Sequence, residues 1–143
     1  MNDDDSAEHD ILGQMRGGLV FVKTQNRPAM VQFYQHKLNM KIWLEQPDIT
    51  ILSHGNMLVG FHNQPDLPAG GIDTGIMFTF VYPTKAEVDT MYEKFKDSTA
   101  GGPPRENERY RIYQFFAKDP EGRNLEFQVF LHSLDVVVTS AVE

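Results

Sequence analysis

The sequence predicts an α+β fold of two tandem βαβββ modules, whose strands form a curved mixed sheet around a cleft. Three observations carry this. Hydrophobic periodicity runs strand, helix, strand, strand, strand, and restarts after a Pro/Gly-rich break at Asn63–Gly71. A shift of 58 residues lays one half on the other with no gap, placing Val20 on Phe78, Val22 on Phe80, Met30 on Val88, Phe33 on Met91 and Tyr34 on Tyr92. A match that runs unbroken from strand through helix marks an internal repeat. Finally, 143 residues with 41% hydrophobic side chains suit one compact domain that needs no cross-links. The alternative is an ordinary α+β sandwich with two unrelated helices.

The elements follow in order. Gly18–Val22 is a short apolar run of strand formers. Asn26 can cap a helix and Pro28 fits its first turn, after which Met30, Phe33, Tyr34 and Leu38 make one apolar helical face. Lys41–Leu44 reads as a strand, Pro47-Asp48 as a turn and Ile49–Ser53 as a strand. His54-Gly55-Asn56 is a tight turn and Met57–His62 its antiparallel partner. In the second half Gly75–Phe80 is a strand and Thr84–Glu87 a capping box. Val88, Met91, Tyr92 and Phe95 form a helical face. Ala100–Pro104 breaks the chain. Tyr110–Ala117 and Leu125–Phe130 are strands joined by the turn Asp119–Asn124, and the remaining module strand must lie in or near the Gly/Pro stretch before Glu106.

This gives a polar tail at 1–10, expected to be disordered, and a single domain at 11–131. Module one spans 17–62, a linker 63–71 and module two 72–131, followed by an extension at 132–143. Within the extension, Val136–Thr139 has strand character suited to pairing with a partner chain.

Composition excludes several functions. With no cysteine there is no disulfide, thiolate metal site or cysteine nucleophile. A net charge of −7 and pI near 5.1 argue against nucleic-acid binding and favour solubility, and they do not repel a cationic or neutral small ligand. No segment reads as a membrane span or secretory signal, so the expected location is the cytoplasm. No nucleophile–base arrangement, phosphate loop or dinucleotide fingerprint is present.

Each helix must bury its face against one side of its sheet, which leaves the other side free to line a cleft. By strand alternation Val20, Val22, Phe78 and Phe80 should face the helices, and Leu19, Phe21, Met77 and Thr79 the cleft.

Phe33-Tyr34 followed by Leu38-Asn39-Met40 is similar to the FY-x-x-x-LG-hydrophobic signature of the vicinal oxygen chelate superfamily (glyoxalase I, bleomycin-resistance proteins, extradiol dioxygenases). Asp119-Pro120-Glu121-Gly122-Arg123-Asn124-Leu125-Glu126-Phe127 resembles its DP-D/E-G-N-x-x-E motif, with one residue between Gly122 and Asn124. The resemblance covers Gly17 to Phe130 and implies a divalent metal held in the cleft by His, Glu or Gln from the first and last strands of both modules. Carried over, the four ligand positions are Gly17, Gly75, Gly60 and Glu126, so three have no side chain to donate. His62, two residues beyond Gly60, points the same way, and Gln128 or Glu45 would have to complete a set.

The resemblance therefore implies a small-molecule binder of the bleomycin-resistance type, without a metal and expected as a homodimer. Leu19, Phe21 and Met77 are its apolar contacts and His62, Glu126 and Gln128 its polar ones. If there is catalysis, Glu126 is the best single candidate. The competing readings are a metal-dependent lyase, isomerase or dioxygenase with a displaced ligand set, and a non-catalytic interaction module. Glu126 has a plain reading too, as a carboxylate paired with Arg111 or Arg123. His62 reads equally as a hydrogen-bonded strand histidine, His54 as solvated in its turn, and His36 as exposed. His9 and His132 lack a supporting constellation. Trp43, Tyr110 and Tyr113 read as core or groove residues. The glycines could mark bulges or close backbone approach, or leave room in the cleft.

Overall fold

The computed structural model describes residues 17–68 and 70–134. The tail at 1–10, with His9, and the run Val136–Thr139 lie outside the described residues. The chain runs β1 (Leu19–Thr24), α1 (Arg27–Leu38), β2 (Lys41–Gln46), β3 (Ile49–His54), β4 (Met57–Asn63), β5 (Met77–Val81), α2 (Lys85–Phe95), β6 (Arg105–Asn107), β7 (Ile112–Lys118) and β8 (Asn124–Phe130). Two four-stranded sheets result, ordered β1-β4-β3-β2 and β5-β8-β7-β6. Each has a parallel pair (β1 with β4, β5 with β8) and otherwise antiparallel neighbours, so each module is βαβββ as the repeat requires. Among the described residues no strand pairing joins the two sheets.

Local chemistry sets the helices. The Asn26 side chain accepts from the Ala29 N–H at 3.2 Å, with Pro28 in the first turn, and Asn39 ends α1 in the left-handed region at φ 55°. The Glu87 carboxylate accepts from the Thr84 N–H at 2.9 Å at the start of α2. Met30, Tyr34 and Leu38 of α1, and Val88, Met91 and Phe95 of α2, are buried, as their spacing demands.

Both helices and the helix-facing sides of both sheets share one core. Phe33 meets Phe95 edge-on at 6.0 Å, Tyr34 meets Phe61 at 5.0 Å and Phe78 at 6.3 Å, and Phe115 stacks on Phe127 at 4.7 Å. A polar staple crosses the same seam. Arg123, fully buried, pairs with Asp119 at 2.9 Å and Glu121 at 3.0 Å, and also donates to the Lys23 carbonyl. Asp119 in turn accepts from the Tyr34 hydroxyl at 2.7 Å. The DP-E-G loop of module two is thereby tied to β1 and α1 of module one.

Some expectations need correction. Val20 lies on the same side as Val22 but is 50% exposed, near the start of an edge strand that has β4 on one side only. β7 begins at Ile112 rather than Tyr110, since Arg111 turns the chain at φ 55°. His54 is half-buried rather than solvated, its ring packed edge-on against Phe80 at 5.5 Å. The elusive module strand is β6, three residues long, directly after the Gly/Pro stretch.

Candidate functional site

Side-chain alternation gives each sheet a face turned away from the helices. Phe21, Gly60 and His62 lie on that open face of module one, and Leu19 shares it. Met77, Thr79, Glu126 and Gln128 lie on the open face of module two. The sequence-predicted site residues therefore form two sets of three, one per module. His62 is half-buried on β4 and its Nδ1 lies 3.1 Å from the Gln64 amide, which is the plain strand-histidine reading.

The pairing registers make the two faces directly comparable. Gly60 sits opposite Phe21 in the first parallel pair, and Glu126 sits opposite Thr79 in the second. These are the equivalents that the repeat assigns, but their chemistry has diverged. In module two the Thr79 hydroxyl donates to Glu126 Oε1 at 2.8 Å, and the Gln114 amide donates to Oε2 at 2.6 Å. Glu126 is 7% exposed, and its partners are these two residues, not Arg111 or Arg123. Arg123 is committed to Asp119 and Glu121. In module one the Phe21 ring lies over Gly60, and a Cβ there would come within 2.6 Å of it. Of the readings for this glycine, close approach is the observed one.

Gln114 was not anticipated. Its signal was present in the sequence: a lone amide on the alternation Ile112, Gln114, Phe116 of a strand otherwise dominated by apolar residues. Beside it lies a cavity of about 330 Å³ lined by Arg105, Asn107, Gln114 and Phe116 among others. Gln128 is buried on the same face, while Met77 is 47% and Phe116 46% exposed.

The four positions carried over for a metal differ in what they offer. Gly17 and Gly75 offer no side chain, Gly60 is capped by an aromatic ring, and Glu126 by itself is a single ligand. Among the described residues no three His, Asp or Glu side chains converge. Glu45, on the exposed edge strand β2, does not join them. What the second face offers is a fixed carboxylate and two amides, bordered by apolar side chains.

A second cavity of about 720 Å³ lies along the end of β5 and the β3–β4 turn, with His54, Met57, Tyr82, Val129 and Leu134 in its wall. Burial pushes the Tyr82 phenol above its usual range and lowers the His54 imidazole. Trp43 and Tyr110 are exposed. Tyr113 donates to Asp89 at 2.6 Å, and this bond helps push its phenol up to about 12. His36 is exposed as expected, and His132 packs edge-on against Phe130 at 5.7 Å. No described helix is long and apolar enough to cross a membrane.

Known structures share this architecture. A glyoxalase/bleomycin resistance protein/dioxygenase from Nocardioides aligns with TM-score 0.64 at 15% identity, covering 93% of this chain and 96% of its own. A family enzyme of the same description from Burkholderia phytofirmans PsJN aligns with TM-score 0.67 at 22% identity, covering 79% and 97%. A lactoylglutathione lyase from Agrobacterium tumefaciens aligns with TM-score 0.62 at 16% identity, covering 81% and 95%. At these identities the likeness is one of fold. No curated protein matches the chain. The family model for the Glyoxalase/Bleomycin resistance protein/Dioxygenase superfamily matches residues 19–127, from β1 into β8, and the chain belongs to that superfamily.

Proposed function

We propose that this protein binds a small organic molecule without a metal, on the open face of module two around Glu126, and that a second copy completes the cleft. The observation that carries the reading is the divergence of equivalent positions: a hydrogen-bonded carboxylate at Glu126, and a ring-covered glycine at Gly60. A carboxylate held by Thr79 and Gln114 keeps a fixed orientation, which suits recognition. Apolar exposure supports the homodimer. Phe21 (54%) and Trp43 (56%) in module one, with Met77 and Phe116 in module two, are large side chains that a partner would cover.

The test is metal analysis of purified protein beside thermal-shift screening against small organic compounds. The expected result is no stoichiometric metal and a rise in Tm with a compound, because a ligand that binds only the folded state stabilises it. Stoichiometric metal that disappears in Glu126→Ala would overturn the reading in favour of a metal enzyme.

A further inference from the structure

We propose that the face around Glu126 takes an organic cation whose nitrogen centre carries at least two N–H donors, an alkylammonium or amidinium on an apolar body. This names the ligand class for the binding function above and rests on that reading.

A carboxylate offers about four lone-pair sites. Thr79 fills one on Oε1 and Gln114 fills one on Oε2, so both oxygens retain capacity. The Gln114 amide is oriented by that contact: its nitrogen must face the carboxylate, because two acceptors would repel. Its oxygen consequently points elsewhere, and it is buried with no hydrogen-bond partner among the described residues, on a side chain whose residue is 6% exposed. The unfilled capacity of the carboxylate and of the buried Gln114 oxygen is therefore acceptor capacity. No described Lys, Arg or His lies within 4.0 Å of the Glu126 carboxylate, which leaves its charge uncompensated by the protein. A neutral donor satisfies the geometry but leaves the charge, an anion is repelled, and a multi-donor cation satisfies both.

The surroundings fit the rest of such a molecule. Phe116 lies directly opposite Glu126 in the β7–β8 ladder and is 46% exposed, and Met77 and Val81 flank the face from β5. The cavity of about 330 Å³ is lined by Gln114, Phe116 and Arg105, so a small ring there lies beside the Gln114 amide. Arg105, opposite Gln114 on β6, and Lys118 are the exposed cations on this face, and Arg105 is the rival occupant of the acceptors.

Benzamidine, benzamide and benzoate separate charge from shape. Titrated into the 15N-labelled full chain, benzamidine should bind at least about tenfold tighter than benzamide, as expected for one charge-assisted contact, with benzoate weakest. The Gln114 side-chain NH2 resonances should shift with benzamidine, which separates this site from diffuse attraction to an acidic protein. Glu126→Gln should bring benzamidine down to the benzamide level and leave benzamide unchanged. If Glu126→Gln does not fold, Gln114→Met should weaken benzamidine several-fold. Benzamide binding as well as benzamidine, with both mapped to Gln114, overturns the cation and leaves the binding face standing. No shift at Gln114 with any of the three overturns both. A wild type that binds benzamidine no tighter than benzamide, beside an Arg105→Gln variant that binds benzamidine tenfold tighter, assigns the acceptors to Arg105 and overturns the proposal.

Discussion

Arg123 has no exposed surface, and its charge is held by two carboxylates, a backbone carbonyl and the face of Phe61 at 5.7 Å. Burial opposes its ionisation, but the ion pairs with Asp119 and Glu121 outweigh this and raise its pKa overall. Removing one member of such a pair leaves an uncompensated buried charge, so Arg123→Met should cost about 3–5 kcal/mol by urea denaturation. Tyr34→Phe removes only the hydrogen bond to Asp119 and should cost about 1.5–3 kcal/mol. His54 makes a pH-dependent contribution. Its folded pKa lies below the ordinary 6.5, because burial penalises the imidazolium. In that window the unfolded chain binds more protons than the folded one. The contribution is therefore complete above pH 6.5 and declines as pH falls toward the folded pKa. Subtracting the stability–pH curve of His54→Gln from that of the wild type should isolate a difference that shrinks on acidification below pH 6.5.

At the scale of elements, the caps are the simplest quantities to test. Asn26→Ala removes the acceptor for the Ala29 N–H, and should cost about 1 kcal/mol in the same denaturation assay. The caps were also legible in the sequence, because capping depends on a few neighbouring residues. So was the repeat. The Gly60–Glu126 equivalence read from Val59-Gly60-Phe61 and Leu125-Glu126-Phe127 reappears in the strand registers, because hydrophobic alternation fixes which residue faces the core. β6 was barely legible: Arg105-Glu106-Asn107 has no apolar alternation and is strand only because β7 supplies partners. The partners of Glu126 were not legible either. Thr79 and Gln114 come from strands 47 and 12 residues away, and only the folded registers bring them to it. His54 was misjudged for the same reason. A turn residue is ordinarily solvated, but here the opposite module supplies Phe80 and Tyr82 to cover it.

At the scale of the molecule, both helices and the helix-facing sheet surfaces share one core, and the open faces carry Phe21, Met77, Val81 and Phe116 as exposed apolar side chains. The proposed homodimer should appear as twice the chain mass in light scattering. Trp43, the single tryptophan, lies at a β2 irregularity between Ile42 and Leu44 and reports on module one's edge. Its emission should shift to the red on dilution as the partner leaves. A spectrum independent of concentration, with the mass of one chain, would remove the second copy from the proposed site.

The ring over Gly60 also dictates an order of events. Converting the first module's face to match the second needs Phe21→Thr and Gly60→Glu, and the two changes are not independent. Gly60→Glu made first drives a new Cβ to within 2.6 Å of the ring and forces it aside. Made after Phe21→Thr, it enters vacated space beside a hydroxyl that can donate to the new carboxylate. A double-mutant cycle should show favourable coupling of about 0.5–3 kcal/mol. Only one of the two mutational routes between the faces is then smooth: the route that replaces phenylalanine at position 21 before placing an acidic residue at position 60.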